Sequence, residues 1–316
     1  MENVAKKYLL LRQRSKLIEN THILSLKTVL IDEIISAIEK SLLLKTGFDA
    51  LHNRQQKEVF ISEKMLLCPY EKTRNVLQYS CAIAFFLASK LNSTALNVAR
   101  EIAKNLCRKP NMRKNQDFLL LLVRVEGSGM IYFDITNYSI PILQSDRNLI
   151  VLLRRLNLQM AEKNRSKIVI NSNNKINTKS LSSLHYVYNR CLSLLKLGER
   201  IDLIQWQKSN STSFWRPKDS VFFQWGEGCK KLYLQQPEAK KMLWQICSLG
   251  DLIAGESAFD SAPWLKLQRE LSQTWLEFTA KCNFCGEVAQ KTPEIATARL
   301  GAIALLHWYL SAIYLD

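Results

Sequence analysis

Apolar residues recur at helical spacing along the last third of the chain, and this periodicity constrains the fold more than any other feature. Between residues 263 and 285 they lie three or four positions apart, at Trp264, Leu267, Leu271, Trp275, Phe278 and Cys282. Such spacing places them on one helix face, which must be buried against other elements. Similar patterns predict helices at about 180–197, 236–249 and 293–314, with no convincing strand pair. We therefore expect residues 181–316 to form an all-α helical bundle.

The first 170 residues combine helical and strand patterns. Leu26, Leu30 and Ile34 mark the apolar face of an early helix, and the alternating run "KEVFISEK" predicts a strand. Two further helices are expected to meet at Asn92-Ser93, with Thr94 capping the second. This half is therefore expected to contain both helices and strands.

A hairpin and a polar linker complete the predicted organisation. Two β-rich runs, at 118–125 and 130–135, flank the turn sequence Glu126-Gly127-Ser128-Gly129. Residues 171–180 read "NSNNKINTKS", which is polar, rich in asparagine and without periodicity. The predicted fold class is α+β and mostly α, with a small α+β domain over residues 1–170, a linker over 171–180 and the helical domain over 181–316.

The chain carries a formal net charge of +16, concentrated in its first half. Lysine and arginine outnumber aspartate and glutamate by 27 to 15 in residues 1–170 and by 17 to 13 in residues 171–316. Such an excess favours an anionic partner, most commonly nucleic acid and less commonly a membrane surface, although it also serves plain solubility. No apolar run is long enough to cross a bilayer and no signal-peptide core is evident, so we expect a cytoplasmic protein without membrane association.

Cys282 and Cys285 form the only CxxC pattern in the chain. The pair has three interpretations: half of a metal site, a redox couple, or two small buried residues. The helical phase that begins at Trp264 makes Cys282 the next core position, and the four histidines lie far away in sequence. We expect Gly286 to end this helix and Pro293 to begin the next. The core interpretation is favoured, and we expect no metal and no cofactor.

A basic strip follows the second of the two paired helices. Arg100, Lys104 and Arg108 repeat every four residues and so share one helix face, with Glu101 the only acidic residue nearby. The strip continues through Lys109, Arg113 and Lys114, and a second cluster contains Arg154 and Arg155. These residues suit contacts with RNA phosphates, which give salt-sensitive affinity without sequence information. The alternative is a solvated face that keeps the protein soluble.

Aromatic and basic residues alternate at the start of the predicted helical domain, at Tyr186, Tyr188 and Arg190. Proteins read unpaired RNA bases by stacking them on aromatic rings and by contacting base edges. Each tyrosine has an equally good interpretation as a core residue of the bundle. Most of the seven tryptophans follow helical core spacing.

Two segments resemble the anticodon-binding DALR domain of arginyl-tRNA synthetases. The segment "LSQTWLEFTAKCNFCGEVAQKTPEIATARLGAIALLHWYLSAIYL" resembles the end of that domain, where an "ARL" triplet, here Ala298-Arg299-Leu300, opens the last helix. The segment "LSSLHYVYNRCLSLLK" resembles its start, where the family carries aromatics and an arginine, matched by Tyr186, Tyr188 and Arg190.

The first half resembles the N-terminal additional domain of the same synthetases. There, two helices precede a strand-turn-strand of the type G-P-G-F-I-N-F, matched by residues 127–133, "GSGMIYF". Ser128 replaces the usual proline. The family's nucleotide-binding catalytic domain should lie between the two matches, but only the polar linker lies there, without the His-x-Gly-His or Met-Ser-Lys type signatures.

The resemblance implies a tRNA-binding protein that is not an enzyme. No phosphate-binding glycine loop, HExxH motif or nucleophile elbow is present in the sequence. The expected partner is tRNA, with arginine tRNA a candidate, and the expected role is an adaptor or chaperone that presents tRNA to a modifying or processing enzyme. The alternatives are a protein-interaction or regulatory scaffold that has lost RNA binding, and a DNA-binding regulator.

Overall fold

A computed structural model describes residues 25–41, 54–68, 78–107, 122–134, 182–208, 213–217, 234, 236–254 and 262–314. The helices of the first half are α1 (Leu26–Glu39), α2 (Arg54–Lys64), α3 (Ile83–Leu91) and α4 (Ala95–Cys107). Its strands are β1 (Met65–Leu67), β2 (Gln78–Cys81), β3 (Leu122–Val125) and β4 (Ile131–Asp134). The second half has α5 (Ser182–Arg200), β5 (Ile204–Lys208), β6 (Ser213–Pro217), α6 (Pro237–Ala254), α7 (Ala262–Lys281), α8 (Glu287–Lys291) and α9 (Pro293–Tyr314).

Helix α1 begins with a side-chain cap and buries the face predicted from its periodicity. The hydroxyl of Ser25 accepts a hydrogen bond from the backbone N–H of Thr28 at 3.0 Å, which satisfies one of the free donors of the first turn. Leu30, Ile34 and Ile38 are fully buried, four residues apart. This face packs against α2, α4 and α6, so α1 lies at the centre of the first half and also contacts the second.

The predicted joint between two helices at Asn92-Ser93 is confirmed. Asn92 ends α3 in the left-handed conformation, with φ of 49°, and asparagine tolerates that conformation better than most residues. The hydroxyl of Thr94 then accepts a hydrogen bond from the backbone N–H of Asn97 at 3.3 Å. Thr94 therefore caps α4 as the sequence predicts.

A four-stranded antiparallel sheet, in the order β1-β2-β4-β3, lies beside these helices. Strands β3 and β4 form the predicted hairpin, although residues 118–121 and 135 of the predicted runs lie outside the described residues. Gly129 closes the turn with φ of 99°, and a Cβ at this position would lie 2.7 Å from the backbone of Ala95. The turn therefore requires glycine both for its conformation and for close packing on the start of α4.

The prediction of a strand at "KEVFISEK" is wrong, because these residues form most of α2. Ile61 is fully buried and the ring of Phe60 packs against Phe86 of α3 at 4.3 Å between centroids. These tertiary contacts, together with lysines and glutamates that favour helices, outweigh an alternation only a few residues long. The strand that does form, β1, begins one residue later at Met65.

The second half forms the predicted helices around a core of large aromatic side chains. Trp264 and Trp275 of α7 are buried, as are the other apolar residues of the periodic set. Helix α6 packs on α7, and α9 packs on α5 and α6. Helix α7 ends at Lys281, before the predicted end at Gly286. Gly286, with φ of 62°, instead precedes the short helix α8.

The expectation of an all-α second half is wrong in one place, because β5 and β6 form an antiparallel pair that places Trp206 opposite Trp215. Ile204 of β5 is buried and the pair packs against α5 and α9. Alternation in "IQWQK" is the signal for this hairpin. The fold as a whole is mostly α with a small antiparallel sheet, as predicted.

The two halves contact each other directly through α1 and α6. The hydroxyl of Tyr79 on β2 donates a hydrogen bond to Asp251 of α6 at 2.8 Å. The indole Nε1 of Trp244, also on α6, donates to the backbone carbonyl of Cys68 at 2.7 Å. The predicted linker, residues 171–180, lies outside the described residues. Within the described part of the chain, no helix is long and apolar enough to cross a membrane.

Candidate nucleic-acid interface

Helix α4 presents Arg100 and Lys104 to solvent on one face. The opposite face buries Val98, Ala99 and Ile102 against the rest of the first half, which fixes the direction in which the basic side chains point. The ammonium of Lys104 lies 3.6 Å from the carboxylate of Glu101, an exposed pair that costs little to separate. The strip therefore starts as predicted. Its remaining residues, Arg108, Lys109, Arg113 and Lys114, and the second cluster, Arg154 and Arg155, lie outside the described residues.

The predicted aromatic group on α5 is divided between surface and core. The ring of Tyr186 is 55% exposed, and Arg190, one helical turn later, is exposed on the same face. Tyr188 points the other way and stacks on His307 of α9, with ring centroids 4.8 Å apart and planes 12° apart. Only Tyr186 and Arg190 are thus placed to meet a ligand, while Tyr188 packs α5 against α9.

The outer face of α5 continues into an apolar patch that the sequence did not single out. Leu197 and Ile201 follow Tyr186 on this face, each 37% exposed, and Trp206 of β5 is 38% exposed. The backbone N–H of Trp206 donates to the carboxylate of Glu199 at 3.0 Å, which ties β5 to the end of α5. This face therefore carries both an exposed tyrosine beside an arginine and a set of apolar side chains.

The outward face of the four-stranded sheet brings together a second aromatic–arginine pair. The strand register aligns Leu66, Ser80, Tyr132 and Arg124 in one row across β1, β2, β4 and β3. Leu66 is 64% exposed, whereas the flanking residues Ile131 and Phe133 point inward and are buried. This face of the sheet is therefore partly exposed, at Leu66 and Arg124, with the half-buried Tyr132 between Ser80 and Arg124.

Arg124 is held in place against the ring of Tyr132. Its guanidinium carbon lies 5.3 Å from the ring centroid, and its Nε donates to the Asp134 carboxylate at 3.0 Å. Asp134 is itself buried and accepts a second hydrogen bond from the side-chain amide of Gln78. A planar cation on an aromatic ring offers flat surfaces for an unpaired base and a positive charge for its phosphate.

The sequence contained part of the signal for this pair. Successive side chains of a strand point to opposite faces of the sheet. The alternation in "MIYFD" therefore puts Tyr132 on the face away from its apolar neighbours, and the alternation in "LVRV" puts Arg124 on the face away from the two valines beside it. Their juxtaposition depends on the register of β3 with β4, and their exposure depends on how the other elements pack against the strands. Neither of these can be deduced from the alternation itself.

The CxxC pattern lies just after α7 rather than in its last turn. Cys282 is buried, as its helical phase predicted, and its Sγ lies 2.9 Å from the side-chain oxygen of Gln236; Cys285 is half-buried. Burial raises the pKa of the Cys282 thiol to about 11, although Arg299 beside it acts in the opposite direction. A neutral, buried thiol is a poor nucleophile. Among the described residues, no group of three or more histidine, cysteine, aspartate or glutamate side chains could hold a metal ion.

Arg299, the arginine of the "ARL" triplet, is turned into the protein. It donates from Nη2 to the Gln236 side-chain oxygen at 2.9 Å and from Nη1 to the backbone carbonyl of Asn283. These bonds join α9 to the segment before α6 and to the connection after α7. Arg299 therefore stabilises the bundle and is not available to a ligand.

Comparison with protein-family models, with curated proteins and with solved structures finds no match to this chain.

Proposed function

We propose that the protein is a non-catalytic RNA-binding protein whose partner is tRNA, with arginine tRNA as a candidate. The observation that carries the proposal is the exposure of Tyr186 beside Arg190 on the outer face of α5. A large aromatic ring that faces solvent next to an arginine suits an unpaired base, such as one of a tRNA loop. The proposed role is cytoplasmic: an adaptor or chaperone that presents tRNA to a modifying or processing enzyme.

Two further surfaces support this proposal. Arg100 and Lys104 form a basic strip on α4, which suits RNA phosphates. The Tyr132–Arg124 pair on the partly exposed sheet face offers a second candidate stacking position in the other half. The net charge of +16 would draw any of these surfaces toward a polyanion.

The test measures tRNA binding by fluorescence anisotropy for the parent, Tyr186→Ala and Arg190→Gln. We expect Tyr186→Ala to weaken binding by about 1–3 kcal/mol, the range for loss of one stacked base. Its salt dependence should not change, because tyrosine carries no charge. Arg190→Gln should weaken binding and lower the salt dependence slightly.

The matched control is Arg269→Gln, which removes an exposed arginine from α7 with the same change in charge. It should bind tRNA like the parent apart from a small uniform effect of net charge. If Tyr186→Ala binds like the parent and Arg190→Gln weakens binding no more than Arg269→Gln does, the α5 face does not bind RNA.

A second candidate function is a protein-interaction or regulatory scaffold that has lost RNA binding, favoured by the exposed apolar residues Leu197, Ile201 and Trp206. It predicts that the parent shows no salt-dependent affinity for tRNA and that Leu197→Ser abolishes binding of a protein partner. Loss of tRNA affinity in the same variant would assign this patch to the RNA surface instead.

A further inference from the structure

A polar cluster lies inside the contact between the two halves, centred on Asp251 of α6. The residue keeps part of its surface exposed, but its Oδ1 atom is shielded from solvent. Its other carboxylate oxygen, Oδ2, accepts the hydrogen bond from the Tyr79 hydroxyl, and Tyr79 is fully buried in β2. Burial in such a place favours the neutral carboxyl group. The ionised form loses hydration free energy there unless the surroundings compensate for its charge.

The groups that face this carboxylate come from three other elements and from α6 itself. Helix α1 contributes Ser25 and Lys27 at its first turn, β2 contributes Tyr79, α9 contributes Tyr309, and α6 contributes Cys247. Lys27 is the cation of this set, and the positive end of the α1 dipole adds to its effect.

Asp251 is the member of this cluster whose charge changes near neutral pH. Burial raises its pKa to about 6, against the opposing effects of the Tyr79 hydrogen bond and of Lys27. Burial also raises the pKa of Tyr79, Tyr309 and Cys247, so these groups stay neutral at that pH. Burial lowers the pKa of Lys27 from its ordinary value of 10.5. The half-buried His307 is turned toward α5, where it stacks on Tyr188.

The position of the cluster gives its ionisation a structural consequence. Asp251 meets β2 and the start of α1, which belong to the first half, while its own helix belongs to the second. The bond from Trp244 to the Cys68 carbonyl crosses the same boundary seven residues earlier on α6. A charge created on Asp251 is therefore placed between the two halves.

We propose that Asp251 acts as a pH-sensitive latch between the two halves: the contact is tight while this shielded carboxyl group is neutral, and it loosens when ionisation places a charge inside the contact, even though the hydrogen bond from Tyr79 favours the ionised form. The folded pKa, about 6, lies above the ordinary value of 3.8. Between these values the folded protein binds more protons than the unfolded chain, so stability falls as pH rises. The stabilisation is complete below about pH 4 and is lost as pH rises through about 6. Near neutral pH the contact between the two halves is therefore weaker than it is below about pH 4.

The test is hydrogen exchange by mass spectrometry on the full chain between pH 4.5 and 7.5, corrected for the intrinsic dependence of exchange on pH. In the parent, protection of Leu26–Glu39 and Gln78–Cys81 should fall about tenfold or more across this range, since one unit of pKa corresponds to a tenfold change. Ala262–Lys281 of α7, which does not contribute to the cluster, is the internal reference.

Two variants test whether Asp251 is the group responsible. Asp251→Asn keeps an acceptor for the Tyr79 hydroxyl but carries no charge, and should give a flat profile with protection at pH 7 at least equal to the parent's. Tyr79→Phe removes a bond to the ionised form, and should shift the midpoint to higher pH.

Three results would overturn the latch. They are a parent profile that is flat in both segments, an Asp251→Asn profile that still falls like the parent's, and a fall that is equally large in α7. If Asp251→Asn does not fold, the direction of the midpoint shift in Tyr79→Phe decides the question. None of these outcomes depends on whether the protein binds RNA.

Discussion

Single residues in this protein have roles that their position in a motif did not reveal. Arg299 lies in the "ARL" triplet, yet its guanidinium is buried between Gln236 and Asn283. Arg190, in the aromatic segment of α5, and Arg124, in β3, both reach the surface. Burial decides whether an arginine can meet a ligand, because the N–H groups of a buried guanidinium form their hydrogen bonds within the protein.

The buried arginine gives a prediction at this scale. Arg299→Met keeps most of the apolar stem and removes the donors to the Gln236 side chain and the Asn283 carbonyl, while the Gln236 oxygen keeps its contact with Cys282. We expect the free energy of unfolding to fall by about 1.5–3 kcal/mol, the range for hydrogen bonds that involve a charged group. Urea denaturation followed by circular dichroism measures it.

The control for this change is Arg269→Met on the exposed side of α7, which should alter the free energy of unfolding by less than about 0.5 kcal/mol. Equal effects at the two positions would mean that the Arg299 bonds contribute nothing to stability.

At the scale of elements, the basic face of α4 allows charge to be changed without changing the fold. The double variant Arg100→Gln, Lys104→Gln should lower the log–log salt slope of tRNA binding by up to about two units. Glutamine favours helix nearly as well as lysine and arginine, so circular dichroism should be unchanged. Anisotropy titrations over a series of salt concentrations measure the slope.

The control for the α4 strip is Lys266→Gln, Arg269→Gln on α7, which removes the same charge from another exposed helix. An equal loss of slope in both double variants would show that only net charge matters and that α4 is not a contact surface.

The elements differ in how far the sequence predicts them, and the reason is the range of the interactions that form them. Helices α5, α6, α7 and α9 follow from periodicity, because burying one face of a long helix requires that spacing. The end of α3 and the cap of α4 follow from local chemistry at Asn92 and Thr94. Helix α2 and the β5–β6 pair were mispredicted, because short runs take their structure from tertiary contacts.

The candidate site was predictable only in part, for the same reason. The basic face of α4 and the α5 pair Tyr186 and Arg190 lie within single helices, and their spacing indicates a shared face. The pairs Tyr132–Arg124 and Tyr79–Asp251 join residues from different elements, and the second pair is separated by 172 positions in the sequence. Such contacts become visible only when the strands are paired and the two halves are in contact.

At the scale of the whole molecule, the proposed RNA binding would have two contributions, one from net charge and one from stacking, and the dependence of affinity on salt separates them. The charge of +16 attracts every polyanion, with an affinity that falls steeply as salt rises. Stacking on Tyr132 and Tyr186 depends little on salt and requires unpaired bases, which a tRNA offers in its loops and a DNA duplex does not. Preference for tRNA over duplex DNA should therefore grow as salt rises.

The corresponding experiment measures the affinity of the protein for tRNA and for a DNA duplex of equal charge. Salt is varied from about 0.05 to 0.5 M, the range over which electrostatic affinity falls by orders of magnitude. The parent should bind both at low salt and only tRNA at high salt. Tyr132→Ala with Tyr186→Ala should reduce that residual tRNA affinity and leave the slope unchanged, because the double variant removes rings and no charge. Duplex binding that matches tRNA binding throughout would instead favour a DNA-binding regulator. A preference that survives the loss of both tyrosines would place the RNA-specific contacts elsewhere in the chain.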